Sequence, residues 1–302
     1  MAAPTPRQVY DEQQKETRRL VRVLATLLAT FLGLPITPKT VRDLAKAIFP
    51  EVVKSRGRQE DLARRVYEAA KADAGLPEPI KSPGTREYTL EGLEKGIDEA
   101  LKVSGNESLT ARDLESVANT ADMHSRNAFR NRMTAYSVND DDVLGWARVD
   151  PVPPTCEFCR LLISRGPVYK TAKTAGDRNR YHKGCTCVPQ LVFRGQRNSW
   201  PGREMYLAEL ERYKQATKGK RGKEARRAWR DAVNRANGKP SAKRRESTEQ
   251  ATKTNEIDLQ AARAQLETLR NMNPSSDSAK EYRERQMKVL EERIKKLTRA
   301  TG

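Results

Sequence analysis

Histidine is almost missing from this chain, with two residues in 302, and cysteine is scarcely commoner at four. Should His182 bind a metal, only His124 is left for a nucleophile–base pair, and every cysteine falls in one short stretch, Cys156 to Cys187. No Gly-x-Ser-x-Gly surrounds any serine, so a serine-hydrolase elbow is excluded. No Gly-x-x-x-x-Gly-Lys-Ser loop and no Gly-x-Gly-x-x-Gly after a strand occurs, which removes the common phosphate- and dinucleotide-binding turns. Aromatic residues make up 6% and apolar residues 36%, lean for one large packed domain. The best apolar run, Leu20 to Leu34, carries Arg22 and falls short of the roughly 20 residues needed to span a bilayer. It reads as a buried helix, so no membrane partner is expected. The start, Met-Ala-Ala-Pro-Thr-Pro, has no charged segment leading into an apolar run, so the reading expects no signal peptide and a reducing cytoplasm.

What is abundant is positive charge. Lysine and arginine total 58 against 40 acidic residues, a formal net charge of +18. Such a balance favours polyanionic partners. The excess concentrates between Lys214 and Arg245, where 13 basic residues face only Glu224 and Asp231. Gly219, Gly222, Gly238 and Pro240 keep this stretch from forming one long helix. A solvated linker is the plainest account of a charge run. The density of cations also suits sequence-independent contact with phosphates.

The cysteines are arranged as Cys156-Glu-Phe-Cys159 followed by Tyr181-His182-Lys-Gly-Cys185-Thr-Cys187. Thiolates and imidazole in two such clusters, brought together by a fold, make a tetrahedral zinc site. Five candidates, Cys156, Cys159, His182, Cys185 and Cys187, compete for four places. A sulfur-rich site usually fills every place with protein, so one structural zinc per chain is expected rather than a catalytic ion with an open position. A redox Cys-x-x-Cys would need a thioredoxin-like βαβ setting, which is not seen. His124 lies inside a helical pattern and reads as structural.

The chain divides by composition into a helical N-terminal region (1–138), a small α+β unit with the Cys/His site (139–200), a basic helical or flexible segment (201–246) and a C-terminal helical hairpin (247–302). The fold class expected is mainly α with a small central α+β zinc-binding unit. Apolar spacings of three and four put Val9, Leu20, Val23, Leu24, Leu27, Leu28, Phe31 and Leu32 on one helix face, stopped at Gly33 and Pro35. A second helix begins near Thr40 and is interrupted at Pro50; a third runs from about Gln59 to Ala74. Helices over Leu90–Val103 and Thr110 to about Tyr136 follow, the latter capped by Thr110-Ala-Arg-Asp113. Short strands are expected over Leu144–Val149, Val168–Tyr169 and Val188–Phe193, with a polar loop near Lys173–Arg180. Asp140-Asp-Asp142 reads as a turn that caps the preceding helix. In the tail, Asn273-Pro-Ser-Ser276 reads as a turn and Ser278-Ala-Lys-Glu281 as a capping box.

The stretch Gly145-Trp-Ala-Arg-Val149, Cys156-Glu-Phe-Cys159, Ser164-Arg-Gly-Pro-Val168-Tyr169, His182-Lys-Gly-Cys185-Thr-Cys187 resembles the phage Mu F-like minor head proteins, the head-morphogenesis family, and most closely members from actinobacteriophages. The resemblance is specific over about 139–195. It implies metal or fold-stabilising roles for Cys156, Cys159, His182, Cys185 and Cys187. It further implies a structural virion protein beside the portal, inside the capsid and in the host cytoplasm during assembly. Expected partners are the portal, a coat or scaffold protein, and double-stranded DNA held without sequence preference. No enzyme activity is expected; the alternative is a capsid maturation protease or a metal-dependent nuclease acting in head assembly.

Overall fold

The computed structural model describes residues 3–85, 87–152, 156–170, 181 and 184–237, together with single helical positions between 263 and 298. Two compact units are present, Met1–Val233 and Asn234–Gly302. The first is built from α1 (Pro6–Ala29), α2 (Pro38–Asp73), α3 (Leu90–Lys102), α4 (Ala111–Asn139), β1 (Val143–Val149), α5 (Glu157–Ile163), β2 (Val188–Phe193), α6 (Arg203–Thr217) and α7 (Gly222–Ala236). Helix predominates, and β1 and β2 form one antiparallel pair.

Threonine opens each of the first four helices. The hydroxyls of Thr5, Thr37, Thr89 and Thr110 accept from the backbone N–H three residues on, satisfying donors that a helix start leaves unpaired. At Thr110 the box closes from both sides, because the Asp113 carboxylate accepts from the Thr110 backbone N–H at 2.9 Å.

The expected break at Pro50 does not occur: α2 runs for 36 residues straight through it. Proline removes one intrahelical hydrogen bond, to the carbonyl of Lys46. Both Pro50 and Lys46 face solvent, where water replaces the lost donor, while Ile48 and Val52 on the opposite side are fully buried. Tertiary packing outweighs the local cost. The face of α1 is also narrower than its apolar residues suggest, since Leu20, Leu24 and Leu28 are buried but Val23 and Leu32 are largely exposed.

Two apolar cores share α2 and α4. One gathers Leu24, Leu44, Ile48, Leu93, Ile97 and Val117 from the four long helices. The other packs Tyr67, Phe129, Met133 and Tyr136 against Trp146, Leu191 and Phe193 of the strands. The helical region and the segment bearing the cysteines therefore share a core. Tyr67 and Tyr136 stack with ring centroids 3.8 Å apart. The strand register pairs Val149 with Val188 and Trp146 with Leu191, with an irregularity at Val143/Gly145. The expected strand at Val168–Tyr169 is reduced to a bridge, in which the Trp146 N–H donates to the Tyr169 carbonyl at 2.7 Å. Gly145 allows that approach: a Cβ there would stand 2.5 Å from the Pro167 carbonyl oxygen and 3.1 Å from that of Tyr169.

Asp140 ends α4, as the acidic run suggested, and does more. Its carboxylate accepts from the Tyr67 hydroxyl at 2.7 Å and from the Lys71 ammonium at 2.9 Å, in a site that is almost wholly buried. Asp142 is the second partner of Lys71, at 3.1 Å. Burial pushes the Asp140 carboxyl up, but hydrogen bonds from Tyr67 and Lys71 outweigh it and hold it below its ordinary value.

In the second unit, Leu266 and Leu290 are buried together with Met287 and Ile294 alongside, and Arg270 pairs with Glu291 at 3.1 Å. The expected turn at 273–276, the capping box from Ser278 and residues 238–246 of the basic segment lie outside the described residues. So does the polar loop expected at Lys173–Arg180.

Gly145→Ala is expected to destabilise the fold by about 1–3 kcal/mol, because two backbone carbonyls must move, and a thermal melt reads this directly. Lys71→Met leaves Asp140 buried without its cation and is expected to cost about 3–5 kcal/mol in urea unfolding. The folded carboxyl lies below its unfolded value of about 3.9, so the Asp140 contribution is complete above that pH and lost as pH falls through the folded value. Acid unfolding curves of Asp140→Asn should accordingly be flatter than those of the parent below about pH 4.

Candidate metal centre

Cys156 is the N-cap of α5, and its sulfur accepts from the Cys159 backbone N–H at 3.4 Å. Capping by a cysteine turns the Cys-x-x-Cys spacing into one helical turn, with Cys159 directed inward and Cys156 exposed. Cys185 and Cys187 lie on the approach to β2, which the pairing with β1 brings across to α5. The result is a buried cluster of three sulfurs, Cys159, Cys185 and Cys187, all within 4.8 Å of one another. Cys159 and Cys185 are 3.5 Å apart, and all four cysteines are free of disulfides. Sulfurs sharing a tetrahedral zinc at about 2.3 Å would be separated by about 3.8 Å, so this spacing fits a metal. Of the five residues expected at the site, three converge, Cys156 stands beside them at the helix start, and His182 lies outside the described residues.

The electrostatics fit a cation as well. Among themselves, the thiols and their burial favour the protonated form of Cys159 and Cys187. Cys159 is pushed far up by its hydrogen bond to Cys156, and further by Cys185, Cys187 and burial. Cys187 is lowered by its bond from Cys159, but Cys185 and burial outweigh this and leave it well above the ordinary thiol value. A divalent ion inverts that balance, because bound thiols are deprotonated. The surroundings already supply positive charge. Tyr181 is sandwiched between two buried guanidiniums, with the Arg130 carbon 3.7 Å and the Arg148 carbon 3.8 Å from its ring centre. Arg130 also donates to the Cys185 carbonyl at 3.1 Å. Burial lowers the Arg148 value, yet Tyr181 and the three clustered cysteines raise it further, so the cation and the sulfurs favour each other's charged forms.

Asp150, just past β1, ties the chain leading to α5 to the later cysteine pair. Its carboxylate accepts from the Val152 N–H at 3.1 Å and from the hydroxyl of Thr186, between the two later cysteines, at 3.0 Å. Burial raises its pKa. Next to Cys185 opens a cavity of about 340 Å³ reaching Thr17, Asp122, Arg126 and Arg130. His124 is elsewhere, on α4 with its ring 5.6 Å from that of Tyr88, and burial lowers its pKa. It is a packing residue.

Sequence reasoning missed Arg130, Arg148 and Asp150. A signal existed for two of them. Arg148 interrupts the otherwise apolar run Val143-Leu-Gly-Trp-Ala-Arg-Val149, and Arg130 falls with Met133 and Ser137 on the buried stripe of α4. A charge on an apolar face must be paired or serve a site.

Among the described residues, no helix is long and apolar enough to cross a membrane. The sequence model of the VG15 protein family matches residues 3–216. The chain is 25% identical over 232 residues to the Gene 15 protein of Mycobacterium phage L5, a match covering 61% of this chain and 76% of the relative. It is 27% identical over 198 residues to the Gene 15 protein of Mycobacterium phage D29, covering 53% of this chain and 69% of the relative. No solved structure matches.

Replacing Cys159, Cys185 or Cys187 singly by Ser is expected to abolish stoichiometric metal binding and to lower the melting temperature, as measured by elemental analysis and calorimetry. Retention of metal by all three variants would sink the cluster as a metal centre.

Proposed function

The chain belongs to the VG15 protein family, a family with members encoded by bacteriophages, and on that footing we propose that it is a structural minor head component, stapled by one zinc ion and placed beside the portal. The observation that carries the reading is the buried sulfur cluster. It joins α5 to the approach of β2 through residues 26 positions apart, as a cross-link does. Cys159, Cys185 and Cys187 would hold the ion, with Cys156 or His182 completing the set. Bound zinc would supply cohesion here, with Asp150 holding the later cysteine pair through Thr186 and with Arg130 and Arg148 offsetting the thiolate charge. The likeness of the 139–195 segment to Mu F-like head proteins supports the same assignment.

Contact with packaged double-stranded DNA is the second part of the proposal. Lys223, Arg226 and Arg227 are exposed on α7, Arg226 and Arg227 three and four residues after Lys223, on one side of the helix. No groove-reading motif accompanies them, so the contacts are to phosphate and indifferent to sequence. Coat or scaffold subunits and the portal would meet other faces. The competing reading is a metal-dependent nuclease or maturation protease, and the cavity beside Cys185 is what favours it. An open metal position there would be occupied by water.

Binding to unrelated duplexes is expected to be equal, and to weaken about a thousandfold between 50 and 200 mM salt if about six phosphates are contacted. Fluorescence anisotropy measures both. Protein found by mass spectrometry inside nuclease-treated particles, with no hydrolysis of DNA or head proteins by the zinc-loaded form, supports the structural role. Turnover of either substrate would replace it with the enzyme.

A further inference from the structure

The cationic helix is mounted on the cysteine turn itself. Glu157 sits between Cys156 and Cys159 and holds α7 twice. Its backbone carbonyl accepts from the Trp229 indole N–H at 2.9 Å, and its carboxylate receives the Arg230 guanidinium at 2.8 and 2.9 Å. Trp229 is buried, and Tyr213 of α6 meets it edge-on with centroids 5.4 Å apart. Arg160 of α5 pairs with Glu209 of α6 at 3.5 Å. α6 and the basic α7 thus both contact a single short element.

That element is not self-supporting. α5 has seven residues, too few to persist in water alone, and the fifteen of α7 are marginal. The first turn of α5 is fixed at one end by the Cys156 cap and at the other by Cys159 in the cluster. Order therefore passes from the cluster to α5, and from α5 to the helix that presents Lys223, Arg226 and Arg227.

We propose that metal loading of the cysteine cluster governs how tightly the chain holds duplex DNA, because the loaded cluster keeps α5 folded as the mount for α7. This rests on reading the cluster as a metal centre and α7 as a DNA-contacting surface. With the mount in place the cations form a preorganised row. Without it the same charges are spread over a mobile segment that must be ordered at each encounter, which lowers affinity without changing composition.

The test uses the full-length protein, zinc-loaded and after removal of zinc by a chelator, with Trp229→Ala and the milder Trp229→Phe. Two readouts are taken: hydrogen exchange over 203–233, and anisotropy of a 20-base-pair duplex at fixed salt. Metal removal is expected to raise exchange over 203–233 and to weaken DNA binding about tenfold. Trp229→Ala should do the same while keeping its zinc. Trp229→Phe, which keeps the ring but lacks the N–H donor, should weaken binding about two- to fourfold. Unchanged exchange after metal removal overturns the proposal, and so does undiminished DNA affinity in zinc-bearing Trp229→Ala with a loosened α7; both leave the DNA reading intact. A zinc-loaded protein that binds no duplex overturns the DNA reading and the coupling together. A protein that holds no metal yet keeps 203–233 protected overturns the metal centre and the coupling, and spares the DNA surface.

Discussion

The approach of Cys159 to Cys185 and Cys187 is the contact on which this molecule turns, because it closes the junction between α5 and the approach to β2, which the apolar cores cover only in part. α5 is short, and it meets the core formed by the strands and α4 through buried Leu162 and partly buried Phe158. Three sulfurs in contact, roofed by Tyr181 and two guanidiniums, replace the hydrophobic area that a helix of this size cannot supply. Neutral thiols would leave those cations facing a weakly polar surface. A thiolate–metal centre gives them a counter-charge, and the geometry and the electrostatics therefore point the same way.

The long helices provide the frame. α2 and α4 make the most extensive packing in the chain and carry residues of both cores. Polar contacts set their register, Ser55 with Ser125 at 2.7 Å and Lys71 with Asp140 at 2.9 Å, while Arg58 of α2 ties α1 in through Glu16 at 2.7 and 2.8 Å. Buried polar pairs are poor sources of net stability, but a helix displaced by one turn would leave each of them unsatisfied. Arg132 of α4 adds a strap, reaching the Pro83 carbonyl, in the connection between α2 and α3, and the Glu60 carboxylate of α2. The frame thus presents Arg130 of α4 to the cysteine cluster from a fixed position.

Much of this was legible in the chain. The helix starts at Thr110 and Leu90, the strand Val188–Phe193 and the grouping of the cysteines all follow from local chemistry: caps, β-branched runs and ligand spacing. Pro50 misled because a local rule was overridden by burial on the far side of α2. The segment Val168–Tyr169 misled because a strand needs a partner along its length, and Gly145 offers room for only one bridge.

The sequence by itself determined which residue types were available for metal chemistry, where the positive charge is concentrated, and where α3 and α4 begin, since these depend on composition and on neighbours a few positions away. Tertiary structure alone decided that Arg130, Arg148 and Tyr181 surround the sulfurs, that Lys71 meets Asp140 across 69 positions, and that Trp229 rests on the carbonyl of Glu157 across 72. Those pairings join distant segments whose separation in the chain carries no trace of the contact. They form only when burial of the helical faces has already set one segment against another.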